Sequence, residues 1–113
     1  MGVDYADGVL RVERTSPPLG VRLFGEVDLD NCVHVRSALF AQSAGGTGDL
    51  YVDVSSLRFI DIAGVRTLVE AAIRIQPERR LVLHRASEEL CVLVRLAEWD
   101  RVPGLVLEKV KTG

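Results

Sequence analysis

The segment from Leu50 to His84 constrains this chain most. It opens on LYVDV, a run rich in β-branched residues, and closes on LVLH, a second apolar run. Between them Val65, Leu68, Val69, Ala72 and Ile73 recur at i, i+3, i+4, i+7 and i+8, the spacing that gathers one face of a helix. Pro77 follows that helix, where it stops further turns. Strand, helix and strand in this order dictate parallel pairing through a right-handed crossover, because parallel strands need a long return path. The polar side of the helix reads as Arg66, Thr67, Glu70 and Arg74, with Glu70 placed four residues before Arg74.

The rest of the chain extends that unit. VLRVER (Val9–Arg14) and VRLFGEVD (Val21–Asp28) alternate like half-buried strands, and TSPPLG between them has the composition of a turn, so the pair reads as a hairpin. DLDNCVHVRSALFAQ is helical in period, with Cys32, Val35, Ala38 and Leu39 near one face. Asp28, Asp30 and Asn31 are its capping candidates, and AGGTG ends it. Ser87 caps a third helix with Glu88 and Glu89 in its first turn and Leu90, Leu93, Val94 and Ala97 on its apolar side. LVLEKV (Leu105–Val110) fits a short strand or a helix equally well. The expectation is one α/β domain over residues 1–113, with a mixed sheet of four to five strands and helices packed mainly on one face.

Composition removes several function classes. With 113 residues, 48% hydrophobic and 27% charged, the chain has enough apolar material for one core. A net charge of −2 with scattered arginines argues against nucleic-acid binding, which needs clustered cations. No apolar run approaches bilayer length, and MGVDYADGVL lacks the basic and apolar regions of a secretory signal. Cys32 and Cys91 stand alone, without CxxC spacing or a set of histidine ligands, and read as free thiols rather than metal ligands. The expected location is a reducing cytoplasm. His34 and His84 lack the sequence partners of a catalytic pair, and AGGTG precedes a strand instead of opening a helix, so it does not cradle phosphate. No enzyme activity, metal or cofactor is expected.

What remains is the junction FIDIAGV, Phe59 to Val65. One reading is structural. Asp61 caps the helix, Ile60 and Val65 form a hydrophobic staple, and Gly64 at the third helical position allows close approach. The other reading makes Ile62 and Ala63 the exposed crest of a contact surface. The residues alone leave both open.

The motifs Gly25-Glu26-Val27-Asp28 and Asp53-Val54-Ser55-Ser56-Leu57-Arg58-Phe59-Ile60-Asp61-Ile62-Ala63-Gly64-Val65-Arg66-Thr67-Leu68 resemble the two signatures of the STAS domain of anti-sigma factor antagonists. The order of predicted elements also matches, from Val9 to about Val110. The resemblance implies a bacterial, cytoplasmic, non-enzymatic regulator of transcription that works by partner switching. Its partner is an anti-sigma factor of the histidine-kinase-like ATPase type, which phosphorylates the serine following the loop aspartate. The partner-binding residues this implies are Asp28, Phe59, Asp61, Ile62, Ala63, Gly64, Val65, Arg66 and Thr67. Here the phosphoacceptor position is Ile62 and the next residue is Ala63, so the frame is kept and the acceptor is lost. Thr67, Ser55 and Ser56 are the hydroxyls left nearby. The alternative within the resemblance is a STAS scaffold or sensor that forms a homodimer or larger homo-oligomer.

Overall fold

The computed structural model describes residues 2–110. Its elements are β1 (Gly2–Ala6), β2 (Leu10–Thr15), β3 (Gly20–Val27), α1 (Cys32–Ser43), β4 (Leu50–Ile60), α2 (Ile62–Ile75), β5 (Leu81–Ala86), α3 (Glu88–Leu96), a 3-10 turn (Trp99–Arg101) and β6 (Leu105–Lys109). The strands form one sheet in the order β1-β2-β3-β4-β5-β6. β1, β2 and β3 pair antiparallel, while β3 to β6 pair parallel. Each parallel step is bridged by one helix, and three right-handed crossovers between successive neighbours place all three helices on the same face.

The expected mixed sheet with helices on one face is therefore present, with six strands in place of four to five. Two strands account for the difference. LVLEKV resolves to the strand β6. GVDYA, unassigned in sequence, is the edge strand β1, held by β2. β4 also runs on through Ser55–Ile60, six residues that read as loop, because Phe24 to Val27 of β3 pair with them across two register shifts.

The core lies between the sheet and the helices. Leu10, Val12, Val21, Leu23, Val52, Val54, Leu81 and Leu83 supply the sheet side, alternating along each strand as a one-sided sheet requires. Val35, Leu39, Val65, Leu68, Ala72, Leu90 and Val94 supply the helix side. Both cysteines are buried free thiols. The helix-free face carries a row of charge in register, Glu13, Arg22, Asp53, His84 and Glu108. Arg22 pairs with Asp53 at 3.3 Å, and His84 Nδ1 meets Glu108 Oε1 at 2.6 Å. That ion-paired row lies on the face of the sheet that carries no helix.

Glycine is required at two crossing points. Gly25 has φ of +92°, and a side chain there would meet the Val9 carbonyl oxygen at 2.1 Å. At Gly20 an added Cβ would lie 1.7 Å from the Tyr51 carbonyl oxygen, where β3 and β4 come together. Arg79 fastens the loop between α1 and β4. Its Nε donates to the Gly48 carbonyl at 2.6 Å and its Nη1 to the Ser43 carbonyl at 2.5 Å.

Candidate functional site

The carboxyl ends of parallel strands β3 and β4 open onto the starts of α1 and α2, and this edge holds both signatures. Val27 pairs with Ile60, and the Asp61 N–H donates to the Val27 carbonyl at 3.1 Å, so the two loops are tied together at their roots. The first loop turns on Asp28. Its Oδ1 accepts from the N–H groups of Asp30 at 3.0 Å and Asn31 at 3.1 Å. The Asn31 side chain closes the turn by accepting from the Asp28 N–H and donating to the Glu26 carbonyl. Asn31 thus occupies the position before α1 without capping it through its side chain. Asp28 acts in the turn rather than as a cap.

In the second loop the cap and the glycine of the structural reading of FIDIAGV are in place. Asp61 is the residue before α2, in extended conformation, and its Oδ1 accepts from the Gly64 N–H at 2.9 Å. Ile60 packs against the core to which the fully buried Val65 belongs, the two positions that the staple uses. An added Cβ on Gly64 would stand 2.7 Å from Ile60 Cγ1 and 2.8 Å from Val27 Cγ1, so this glycine lets the helix start sit against the strand ends.

The surface over that frame is apolar. Ile62, the first residue of α2, is 46% exposed, and Phe59 at the end of β4 is 54% exposed. Ala63 is half-buried and Arg66 exposed. Leu29 in the Asp28 turn and Val33 in the first turn of α1 are exposed at the same edge. Neither was singled out from sequence, although Val33 falls off the Cys32–Val35–Leu39 stripe and so had to face outward. Beside them Arg58 lies 3.8 Å from Glu26.

Three of the nine predicted site residues lie beneath this surface. Gly64 and Val65 are buried and hold the loop from below. Thr67, expected on the polar side of the helix, is 2% exposed and donates its hydroxyl to the Ala63 carbonyl at 3.0 Å. A polar residue type hid a buried position, made tolerable by that i−4 bond. Ser55 is exposed, but its Oγ donates to Asp53 Oδ1 at 2.6 Å. Burial pushes the Asp53 carboxyl up. The Ser55 hydroxyl and N–H, with Arg22 and Arg85, outweigh it and leave Asp53 below the usual carboxylate range. Ile73, assigned to the apolar stripe, is 52% exposed. Glu70 lies 3.9 Å from Arg36 across the helix pair, in place of the expected contact with Arg74.

The histidines have structural partners. His34 stacks on Tyr5 of β1 with ring centroids 3.6 Å apart, and His84 is held by Glu108. Among the described residues no group of three or more His, Cys, Asp or Glu is placed to hold a metal ion. No helix among them is long and apolar enough to cross a membrane.

Comparison with known proteins fits this geometry. The solved structure of the anti-sigma factor antagonist SpoIIAA in its unphosphorylated form superposes with a TM-score of 0.65 at 18% identity, over 89% of this chain and 89% of that one. An anti-sigma factor antagonist from Mycobacterium paratuberculosis superposes with a TM-score of 0.63 at 20% identity, over 92% of this chain and 81% of that one. At these identities the likeness is one of fold. A comparison with curated protein sequences returns no significant match. The family model described as "Mlab, STAS domain" matches residues 10–108, which span both signatures and run from the start of β2 into β6, and the chain therefore belongs to the STAS-domain family.

Proposed function

We propose that this chain is an anti-sigma factor antagonist-like STAS protein of the bacterial cytoplasm. It binds an anti-sigma factor of the histidine-kinase-like ATPase type without phosphorylation at the usual position. The docking surface is Phe59, Ile62, Ala63 and Arg66 with the two loop acids, Asp28 and Asp61, extended by Leu29 and Val33. Gly64, Val65 and Thr67 shape it from beneath. The observation that carries the reading is Ile62. It stands at the phosphoacceptor position, nearly half exposed, on a helix start whose cap and glycine packing are intact.

The chemistry of the missing switch follows from that position. A phosphate there would add about −1.5 to −2 charges beside Asp28 and Asp61, and a docking partner would have to desolvate all of them. Isoleucine carries no charge in any state. Covering its exposed part adds about half the ~1.5–3 kcal/mol of a fully buried isoleucine. The partner complex is then held on at this position, and no kinase step releases it. Two of the three neighbouring hydroxyls offer poor substitutes, and Ser56, half-buried on β4, is the one to watch. Thr67 is buried, and Ser55 is engaged by Asp53.

The test is a pull-down from native lysate with the wild-type chain beside Ile62→Ser, with captured proteins identified by mass spectrometry. The reading expects an ATPase of the kinase-like type on the wild type and about fivefold weaker capture on the variant, a loss of ~1 kcal/mol. Incubation of the purified pair with ATP should leave the wild-type chain unmodified and Ile62→Ser phosphorylated. A phosphate on any other residue that dissolves the complex would refute the loss of control. A large homo-oligomer that ignores every anti-sigma factor would favour the scaffold reading.

A further inference from the structure

At the other end of the same helices, away from the loops, α1 and α2 enclose a groove of about 340 Å³. Buried Leu39 and Leu50 form its floor, half-buried Ala71 and Ile75 its sides, and Phe40 and Ile73 its lip, exposed by 62% and 52%. Neither lip residue serves the core. Phe40 lies outside the buried stripe of α1, and Ile73 sits over the groove instead of on the sheet.

Charge is placed at that lip. The Arg74 guanidinium lies over the Phe40 ring, 5.1 Å from its centroid, and has no carboxylate within ion-pair distance among the described residues. Arg36 also lines the groove, and its contact with Glu70, itself a lining residue, is long at 3.9 Å. The hydroxyls are spent, Thr67 on the Ala63 carbonyl and Ser43 on the Phe40 carbonyl. The charged lining is two guanidiniums, Arg36 and Arg74, against the one carboxylate of Glu70, so the groove carries a net positive charge, with Arg74 the cation that has no acid beside it among the described residues. It faces an apolar volume within the range of small-ligand sites, which begins at about 300 Å³.

We propose that this groove binds a small amphipathic monocarboxylate, with its alkyl or aryl body on Leu39, Leu50 and Ala71 and its carboxylate on Arg74. Glu70 on the same wall disfavours a dianion such as a phosphate ester, and the apolar floor disfavours a small polar acid. A guanidinium offers a carboxylate two parallel donors, which fixes the head while the body stays adaptable. The site is separate from the partner surface proposed above, because Phe40, Ile73 and Arg74 lie on the last turns of α1 and α2, and the one shared residue, Thr67, has its hydroxyl on the Ala63 carbonyl.

The probe is sodium octanoate, kept below its micelle concentration and titrated into the ¹⁵N-labelled full chain by NMR. The expected result is saturable shifts confined to Leu39–Phe40, Leu50 and Ala71–Ile75, with a dissociation constant no weaker than about 1 mM. Octanol and octylamine at the same concentrations should fail to saturate. Arg74→Gln should weaken octanoate about tenfold with Tm unchanged. Ala71→Phe, which fills the groove, should remove binding, with the spectrum elsewhere retained as the control for folding. Three results overturn the proposal: no saturation, an equal response to octanol or octylamine, or an Arg74→Gln titration that overlays the wild type.

Discussion

Replacing Asp61 separates what this residue does for the fold from what it does for recognition. Its Oδ1 takes the Gly64 N–H at 2.9 Å, one of the donors that a helix start otherwise leaves open. Removing such a cap costs about 1 kcal/mol, within a range of about 0.5–2. The carboxylate also faces the positive end of α2, which adds about 0.3–1 kcal/mol at an exposed site. The Asp61 N–H bond to the Val27 carbonyl belongs to the backbone and survives any substitution. Asp61→Ala should therefore lose about 1–2 kcal/mol, or about 3–8 °C in Tm for a chain of this size. Asp61→Asn keeps an acceptor and drops the charge, so it should lose only the smaller electrostatic share. Asp61→Ser should fall beside it. Urea unfolding followed by circular dichroism at pH 7 gives the ranking wild type, then Asn and Ser, then Ala. If Asn proves as costly as Ala, or Ala as stable as wild type, the capping argument is wrong. The Asn variant is also the correct one for partner capture, because it changes the charge presented to a partner while leaving the loop folded.

Two further outcomes follow from the packing and the charges. Gly25→Ala should cost more than about 2 kcal/mol, because a positive φ and a backbone oxygen 2.1 Å from the new Cβ leave it nowhere to move, and urea midpoints measure it. Asp53 should make the chain acid-labile. Its carboxyl lies lower in the fold than when unfolded, so its contribution is complete above the ordinary carboxylate range and is lost as pH falls through the depressed value. Ser55→Ala removes the hydroxyl bond that helps depress it and should move that loss to higher pH, read as the difference in urea midpoint between pH 7 and pH 3.

Periodicity carried most of the architecture, and it failed where long-range partners decide. The crossover from Leu50 to His84 was legible because three apolar patterns of fixed period follow one another. β1 was not, because GVDYA buries no residue fully and owes its place to pairing with β2 and to Tyr5 stacking on His34. The second half of β4, SSLRFI, has no clean alternation and is a strand because β3 pairs with it. Thr67 was misplaced because residue type outweighed position, although it lies one residue before Leu68 on the buried arc. The cap and staple at Asp61 were readable because they are local, set by residues within five positions of one another. The proposed contact surface gathers residues from two segments. Leu29 and Val33 belong to a different segment from Ile62, and only the parallel pairing of β3 with β4 brings their loops to one edge.

The most distinctive residues of the two signatures turn out to be the ones with the most complete structural explanation. Gly25 passes the Val9 carbonyl, Asp28 closes its turn, Asp61 caps α2 and Gly64 clears Ile60 and Val27. A chain must keep them to build this edge, whatever the edge then binds. Their presence is evidence of the fold, and evidence about partners has to come from side chains that the fold does not need. Leu29, Val33, Phe59 and Ile62 are such side chains, all exposed by 46% or more. Changing all four to serine should therefore leave the urea midpoint near that of the wild type, apart from the partly buried fractions of Val33, Phe59 and Ile62, while partner capture disappears. If the fourfold variant unfolds as Gly25→Ala does, these residues are core by another route. If it folds and still captures its partner, the docking surface lies elsewhere on the domain, and Ile62 is only a substitution that the family frame tolerates.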